Sequence, residues 1–488
     1  MSASYDLVIR GGTVVTASDT VRADVAISGE SVVAVGKGLP AGMREIDATG
    51  RLVMPGGVDP HCHIEQMTAA GLVNADTFET ATVSAAFGGT TTVIPFAAQH
   101  VGLNLRQVVA DYKALAARGA VVDYALHMII ADATQETVAS DIPAMVEAEG
   151  IGSIKMFMTY DRLKVDDEKF LDVLLAARQS GALVCVHAEN HGMISWMSRK
   201  LVEKGYVAPR YHAMSHPRLA ETEAFTRLIA MSELIDQPIM IFHVSTAEGA
   251  AVIREARGRG VKVFAETCPH YLILTAEDVD LPGLEGAKRM FSPPARAASD
   301  HGALWRALAL GDLQVVSSDH APFRFDETGK LRAGPSATFK QIGNGMPGLE
   351  SRLPLMFDAM VSQGGMGLQK FVELTATNPA RIYNLARKGS IAVGGDADIA
   401  IWDPDRRVTF SDATVRDAAG YTPYPGRTVR GWPQTVLVRG TAVIADGVLA
   451  VKPGFGRYLP RAGGEAARPT GHLVREVDPH RNFGATLL

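Results

Sequence analysis

Cysteine is scarce in this chain. Only Cys62, Cys185 and Cys268 occur in 488 residues. Three cysteines cannot build a disulfide framework, and no CxxC pair offers a zinc knuckle. The count suits a reducing compartment, so a cytoplasmic protein is expected. Long apolar runs are also missing. No stretch approaches the roughly 18–20 consecutive apolar residues of a membrane span, and the opening MSASYDLVIRGG lacks the basic patch and apolar run of a signal peptide. Excess charge of either sign is absent too: 48 basic against 53 acidic residues leave a net charge of −5. Neither a nucleic acid nor a membrane surface is therefore an expected partner.

The composition that remains, 47% hydrophobic and 21% charged, is that of an ordinary globular protein long enough for one large domain and one small one. Residues 5–10, 23–28 and 31–35 are apolar, β-branched and separated by glycine turns. The same texture returns at 398–402, 407–410 and 435–439, which predicts a small β-sandwich built from both ends, residues 1–52 and 390–460. In between, short apolar strands alternate with helical stretches. Strands are expected at 89–96, 121–130, 153–157, 183–187, 239–243, 261–267 and 313–317, and helices at 103–118, 135–148, 168–180, 219–235 and 247–259. That rhythm predicts βαβ units and a parallel sheet. Eight strands fit between Leu52 and Asp319, so the fold class is α/β with a closed (β/α)₈ barrel over residues 53–389. Residues 461–488, rich in Gly, Arg, Pro and Glu, read as an extended tail.

Several of the 14 histidines stand where predicted strands end. His61 and His63 close one strand, His187 and His243 close two others, and Asp319 closes a fourth. In a parallel barrel these ends share one face. Two histidines at i and i+2 point the same way and could clamp a metal, or could be polar loop residues. A lone His187 or His243 could equally be a hydrogen-bonded core residue; the joint pattern favours a metal centre. Lys155 interrupts the apolar run GSIKMFM. A buried amine has a depressed pKa and could add carbon dioxide to become a carbamate; alternatively the side chain snorkels to the rim. Asp319 could cap a helix or, beside metals, bind one and shuttle a proton.

The ordered pieces PGGVDPHCHIE, AAFGGTTTVIPF, SIKMFMTY, VHAEN, FHVST, ETCPHYL, FSPPAR, SSDHAPF, GNGMPGLESRLPL, TNPARIYNL and GDADIAIWDP resemble the hydantoinase/dihydropyrimidinase branch of the amidohydrolase superfamily, from residue 6 to about 455. The resemblance implies two divalent ions per chain, with zinc as the expected metal. His61 and His63 would hold the more buried ion and His187 and His243 the other. Lys155, as N6-carboxylysine, would bridge both, and Asp319 would complete the first site and move the proton. Tyr160 would hydrogen-bond the substrate carbonyl or its oxyanion. Ser292 and Asn344 would contact the imide edge, largely through backbone atoms. The implied reaction opens a cyclic amide to an N-carbamoyl amino acid or half-amide, and a homotetramer is implied as the oligomer.

Two features depart from the family pattern. Cys62 stands between the two histidines, where Thr or Val is usual, and the segment QMTAAGLVNAD lacks the Pro-Phe-Gly-Gly typical of hydantoinases. That segment contributes Met67, Ala69, Ala70, Leu72 and Val73 and no cation, so neutral rings with small or apolar substituents are the expected substrates. Dihydroorotases and allantoinases are similar, but they carry an Arg or an Asn-Glu-Pro-Gly sequence soon after the histidine pair, where this chain has Ile64-Glu65-Gln66. Collapsin response mediator proteins are scaffolds similar to this family that have lost metal ligands; here all six ligand positions are present.

Overall fold

Strands from the two ends of the chain form one sheet, and strands from its middle form another. The computed structural model describes residues 5–68 and 71–488. In the first, nine-stranded sheet, Leu52–Pro55 is the join. It runs parallel to Tyr5–Val15 and antiparallel to Ile399–Thr409. The sheet therefore claims residues up to Pro55, three beyond the expected limit of 52. Leu7, Ile9, Val25 and Val53 from one end and Ile399, Ile401 and Leu437 from the other enclose a common core, which makes the unit a sandwich. The long strand Tyr5–Val15 slips register between Ile9 and Gly12. A β-carbon at Gly12 would stand 2.5 Å from a Val53 methyl, so only glycine allows this approach.

The second sheet is the barrel. Gly57–Cys62, Thr90–Ala98, His127–Ile129, Ser153–Phe157, Leu183–His187, Ile239–Ile241, Val263–Thr267 and Val315–Val316 pair in that order, all parallel. Side chains alternate along each strand. Ile154, Met156, Val184, Val186, Ile239 and Ile241 pack outward against the helices, while Phe157, Leu183, Cys185, Met240 and Phe242 fill the interior. This alternation decides where the chemistry points: Lys155, two residues before Phe157, and His187, two after Cys185, both face inward.

The barrel closes where its first strand meets the end of its last. Cys62 forms a parallel bridge with His320, the His63 amide donates to the His320 carbonyl at 2.6 Å, and the Ser318 amide donates to Asp59 Oδ1 at 3.1 Å. Beneath this seam lies Arg352, with no solvent exposure. It donates to the carbonyls of Val58 at 3.1 Å and Val316 at 3.0 Å and to Thr90 Oγ1 at 3.0 Å, and its Nε stands 3.5 Å from Asp59. One side chain thus ties the first, second and eighth strands.

Some elements differ from expectation for visible reasons. The strand expected at 121–130 is split into Asp123–Tyr124 and His127–Ile129, because the Tyr124 amide is taken by Arg457 of the C-terminal segment. The helix expected at 135–148 does begin at Gln135, but a π turn at Thr137–Asp141 interrupts it before the α-helix Ile142–Glu149. Pro143 lies just after the π turn, where it has no amide to continue the helical ladder. The 461–488 segment is irregular but anchored at the barrel floor. Arg461 donates at 2.6 Å to both the Leu126 carbonyl and Ser153 Oγ, and Ala466 and Ala467 are buried against the barrel core. Lys388 binds Asp123 of the barrel and Asp396 and Asp398 of the small domain at 2.7–3.0 Å, so the two units share a buried charge cluster. Among the described residues no helix is long and apolar enough to cross a membrane.

Replacing Arg352 by methionine keeps the bulk but strands Asp59 and three carbonyl or hydroxyl acceptors. The expected loss is roughly 3–5 kcal/mol, the usual result of removing one member of a buried charged network, read as a lower midpoint in urea unfolding. A midpoint equal to that of the parent would show that the seam holds without the arginine.

Candidate metal centre and substrate cavity

A cavity of about 520 Å³ opens at the C-terminal mouth of the barrel. Its wall contains every expected ligand, catalytic and imide-edge residue: His61, His63, Lys155, Tyr160, His187, His243, Ser292, Asp319 and Asn344. Local backbone features bring them there. A register shift between Asp59 and Cys62 rephases the first strand, so that Cys62 joins the outer core and His61 packs inside against Phe242, ring centroids 4.1 Å apart. His243 directly follows inward-facing Phe242, and strict alternation would send it outward; its φ of +41° turns it back over the mouth. Asp319 and Tyr160 also have positive φ, +45° and +72°. Such conformations cost roughly 1–3 kcal/mol each and are retained where the surroundings enforce them.

Ligand atoms of His61, His63 and Asp319 lie within 4.8 Å of one another. Asp319 Oδ1 is 3.1 Å from His61 Nε2 and 3.4 Å from His63 Nε2. The remote nitrogens are committed elsewhere: His61 Nδ1 to Glu266 and His63 Nδ1 to Gln66 Oε1 at 2.6 Å. The Nε2 atoms are therefore the ones free to face an ion. His187 and His243 form a second pair with ring centroids 4.4 Å apart. Glu189 takes His187 Nε2 at 2.8 Å, leaving Nδ1, and His243 Nδ1 is buried with no partner among the described residues. Lys155 Nζ lies over the rings of Phe242, which packs on His61, at 4.0 Å and Phe157 at 4.8 Å.

Charge follows from burial. Desolvation pushes the Lys155 ammonium down to about 7, against the pull of Asp319 and Glu266. Burial likewise holds His63, His187 and His243 below the usual histidine range. Neutral imidazole is the form that binds a metal. Burial pushes His61 down as well, but the Asp319 and Glu266 carboxylates overcome it and raise it. Burial would raise Asp319, yet the His61 and His63 rings hold its carboxyl well below the carboxylate range. A dication at this point would replace the His61 proton as the partner of Asp319. Nitrogen and carboxylate donors, unpaired buried nitrogen and a weakly basic lysine fit a divalent metal.

Around the metal-ligand candidates lie residues that strand-end reasoning missed. Glu266 lies on Val263–Thr267, whose Val263 and Ala265 face outward, so alternation alone would have aimed it at the site. Glu189 joins His187 to His216 Nδ1, at 2.8 Å from each. His212 Nε2 donates to the Phe291 carbonyl at 2.8 Å and is 3.3 Å from Ser292 Oγ. Asn344 Oδ1 is buried without a partner among the described residues. The substrate-pocket expectation needs correction. Leu72 is buried and lines the cavity, but Met67 and Val73 are 47% and 55% exposed and lie off its wall. Ala69 and Ala70 lie outside the described residues. Arg162 enters the wall from a turn and Lys340 from the short 3-10 helix Phe339–Gln341, so the cavity does contain cations. Both are exposed and sit at its mouth.

Residues 52–443 match the amidohydrolase family. The D-hydantoinase of Ralstonia pickettii is 41% identical over 93% of this chain and 99% of its own length. The dihydropyrimidinase of Brevibacillus agri superposes with a TM-score of 0.91 at 41% identity, covering 94% and 99% of the two chains. The L-hydantoinase of Arthrobacter aurescens superposes with a TM-score of 0.83 at 28% identity, covering 93% and 99%. The chain belongs to the hydantoinase/dihydropyrimidinase branch of the amidohydrolase family.

Lys155 gives a test of the electrostatics in protein stripped by a chelator. Its pKa falls from 10.5 to about 7 on folding, so between those pH values the unfolded chain holds a proton that the folded one has released, and stability rises with pH. Lys155→Met removes that term. Stripped Lys155→Met should melt above the stripped parent at pH 7, and the gap should narrow as pH approaches 10. A gap that is absent at pH 7, or widens with pH, would show that the amine is not buried at a cost.

Proposed function

We propose that this chain hydrolyses the ring amide of hydantoins, dihydropyrimidines or related cyclic imides, giving N-carbamoyl amino acids or half-amides. The observation that carries the proposal is the convergence of His61, His63, Lys155, His187, His243 and Asp319 on one cavity wall, in a chain whose relatives are hydantoinases and dihydropyrimidinases. Divalent ions held by these six residues would supply an acidified water and a Lewis acid for the scissile carbonyl. We assign two ions and zinc, with His61, His63 and Asp319 around one, His187 and His243 around the other, and N6-carboxylated Lys155 between them. An amine that titrates at about 7 is partly neutral near pH 7 and can form that carbamate.

The remaining steps belong to side chains. Asp319 Oδ1 takes a proton from the attacking water and returns it to the ring nitrogen as the C–N bond breaks. The Tyr160 hydroxyl donates to the carbonyl oxygen as it gains charge; burial holds this phenol far above the usual tyrosine range, so it stays protonated. Backbone groups of Ser292 and Asn344 hold the imide edge. Exclusion of bulk water comes from the apolar part of the wall, Leu72, Phe157, Phe291 and Phe323. The three buried, unpaired cysteines support a cytoplasmic protein, and the family resemblance supports a homotetramer.

Asparagine at 319 keeps the shape and can still offer an oxygen, but it cannot carry the proton. Asp319→Asn is expected to fold, retain most of its metal and lose on the order of 10²–10⁴ in kcat; near-parental turnover in metal-replete protein would move the proton transfer to another group.

The function itself is tested by following loss of imide absorbance with metal-loaded enzyme on hydantoin, substituted hydantoins, dihydrouracil and dihydroorotate at equal concentrations. A carboxylate carried on the ring inside the cavity would face buried apolar side chains, remote from the cations at the mouth. Hydantoins or dihydrouracil should therefore give the highest kcat/KM. Dihydroorotate in first place would refute the pocket assignment, and no turnover of any ring would refute the function.

A further inference from the structure

Ser292 and Asn344 both lie on irregular segments with no strand or helix to fix their separation. A second lysine sits where these segments meet. Lys330 has no solvent exposure, and among the described residues no carboxylate pairs with it. Its Nζ donates to the Gly343 carbonyl at 2.8 Å and to the Met290 carbonyl at 3.3 Å. The Met290 carbonyl also accepts from the Gly345 amide at 2.9 Å. The ammonium therefore joins the residue before Asn344 to a residue two before Ser292. The surroundings are apolar, with Met290, Phe339 and Ile342 in one buried cluster, so methionine would fill the space without burying a charge. A buried ammonium held only by carbonyl dipoles is costly, and burial pushes it down to about 7. What this placement provides is a rigid link between two peptide segments. The His212 ring also secures the Phe291 carbonyl and approaches Ser292 Oγ, so the Ser292 segment has a second side-chain anchor.

We propose that Lys330 is a positioning residue for substrate recognition: its ammonium ties the Asn344 loop to the Ser292 segment and so sets the spacing of the edge that receives the cyclic amide. The role rests on the assignment of Ser292 and Asn344 to the imide edge. Lys330 does not touch the metal-ligand candidates, so metal binding and recognition separate in its variants. The test compares metal-loaded parent, Lys330→Met and Lys330→Gln on hydantoin and dihydrouracil, with metal content and melting temperature measured alongside. Lys330→Met should lower kcat/KM on the order of 10²-fold, the effect of a misplacement near 1 Å, chiefly through KM. It should keep the parental metal content and melt no lower than the parent, because a buried charge has gone. Lys330→Gln, which retains an amide donor, should fall between the two. An unchanged kcat/KM in the methionine variant overturns the proposal. So does a loss accompanied by lower metal content or a lower melting temperature, which would mark a packing role. If the parent opens neither ring, the substrate assignment fails on its own. Hydrogen exchange at residues 343–345 then tests the tie: faster exchange in Lys330→Met upholds it, and unchanged exchange removes it.

Discussion

The site depends on the closure of a cylinder. His61 stands on the first barrel strand, His63 just follows it, and Asp319 follows the eighth, some 250 positions later in sequence, so they meet only because the sheet's two edges meet. That junction has few strand-to-strand bonds, since the last strand is only Val315–Val316. Arg352 compensates from below, with the Asp59–Ser318 and His63–His320 contacts above it. A fully buried guanidinium is a costly way to hold two strands. Its planar fork reaches acceptors on three strands together, which no aliphatic side chain can do.

The same trade recurs at Lys155, Lys330 and the positive-φ residues Tyr160, His243 and Asp319. Each is unfavourable by itself, through desolvation or backbone strain, and each lies at or beside the cavity. The apolar layers inside and outside the strands provide the stability that makes such positions tolerable. Stability and chemistry are thus divided by height along the barrel, with aliphatic layers and Arg461 toward the floor and charged, strained groups at the mouth.

Much of this was legible in the sequence because two short periods govern it. Alternation along strands and the rule that parallel strands end together were enough to gather His61, His63, His187, His243 and Asp319, and the misfit of Lys155 in an apolar run marked it. What escaped is held by contacts with no local signature. Glu189 bridges His187 to His216 through a loop and helix turn, Arg162 and Lys340 reach the mouth from a turn and a short helix, and Lys330 lies in a turn-rich stretch whose partners are backbone carbonyls. The pocket expectation misplaced Met67 and Val73 for a related reason: composition of a segment does not say which of its residues turn inward. The division of the long third strand depended on Arg457, more than 300 residues away.

Arg461 and the sandwich strands carry a consequence for the order in which the molecule can be made. A ribosome delivers the chain from residue 1 onward, yet Tyr5–Val15 and its neighbours cannot complete their sheet until Ile399–Thr409 and Thr428–Val438 have emerged, and the barrel floor lacks Arg461 until later still. Neither unit can finish before these late segments are available. Until those residues have emerged, the nascent protein carries an exposed sheet edge and an open barrel floor.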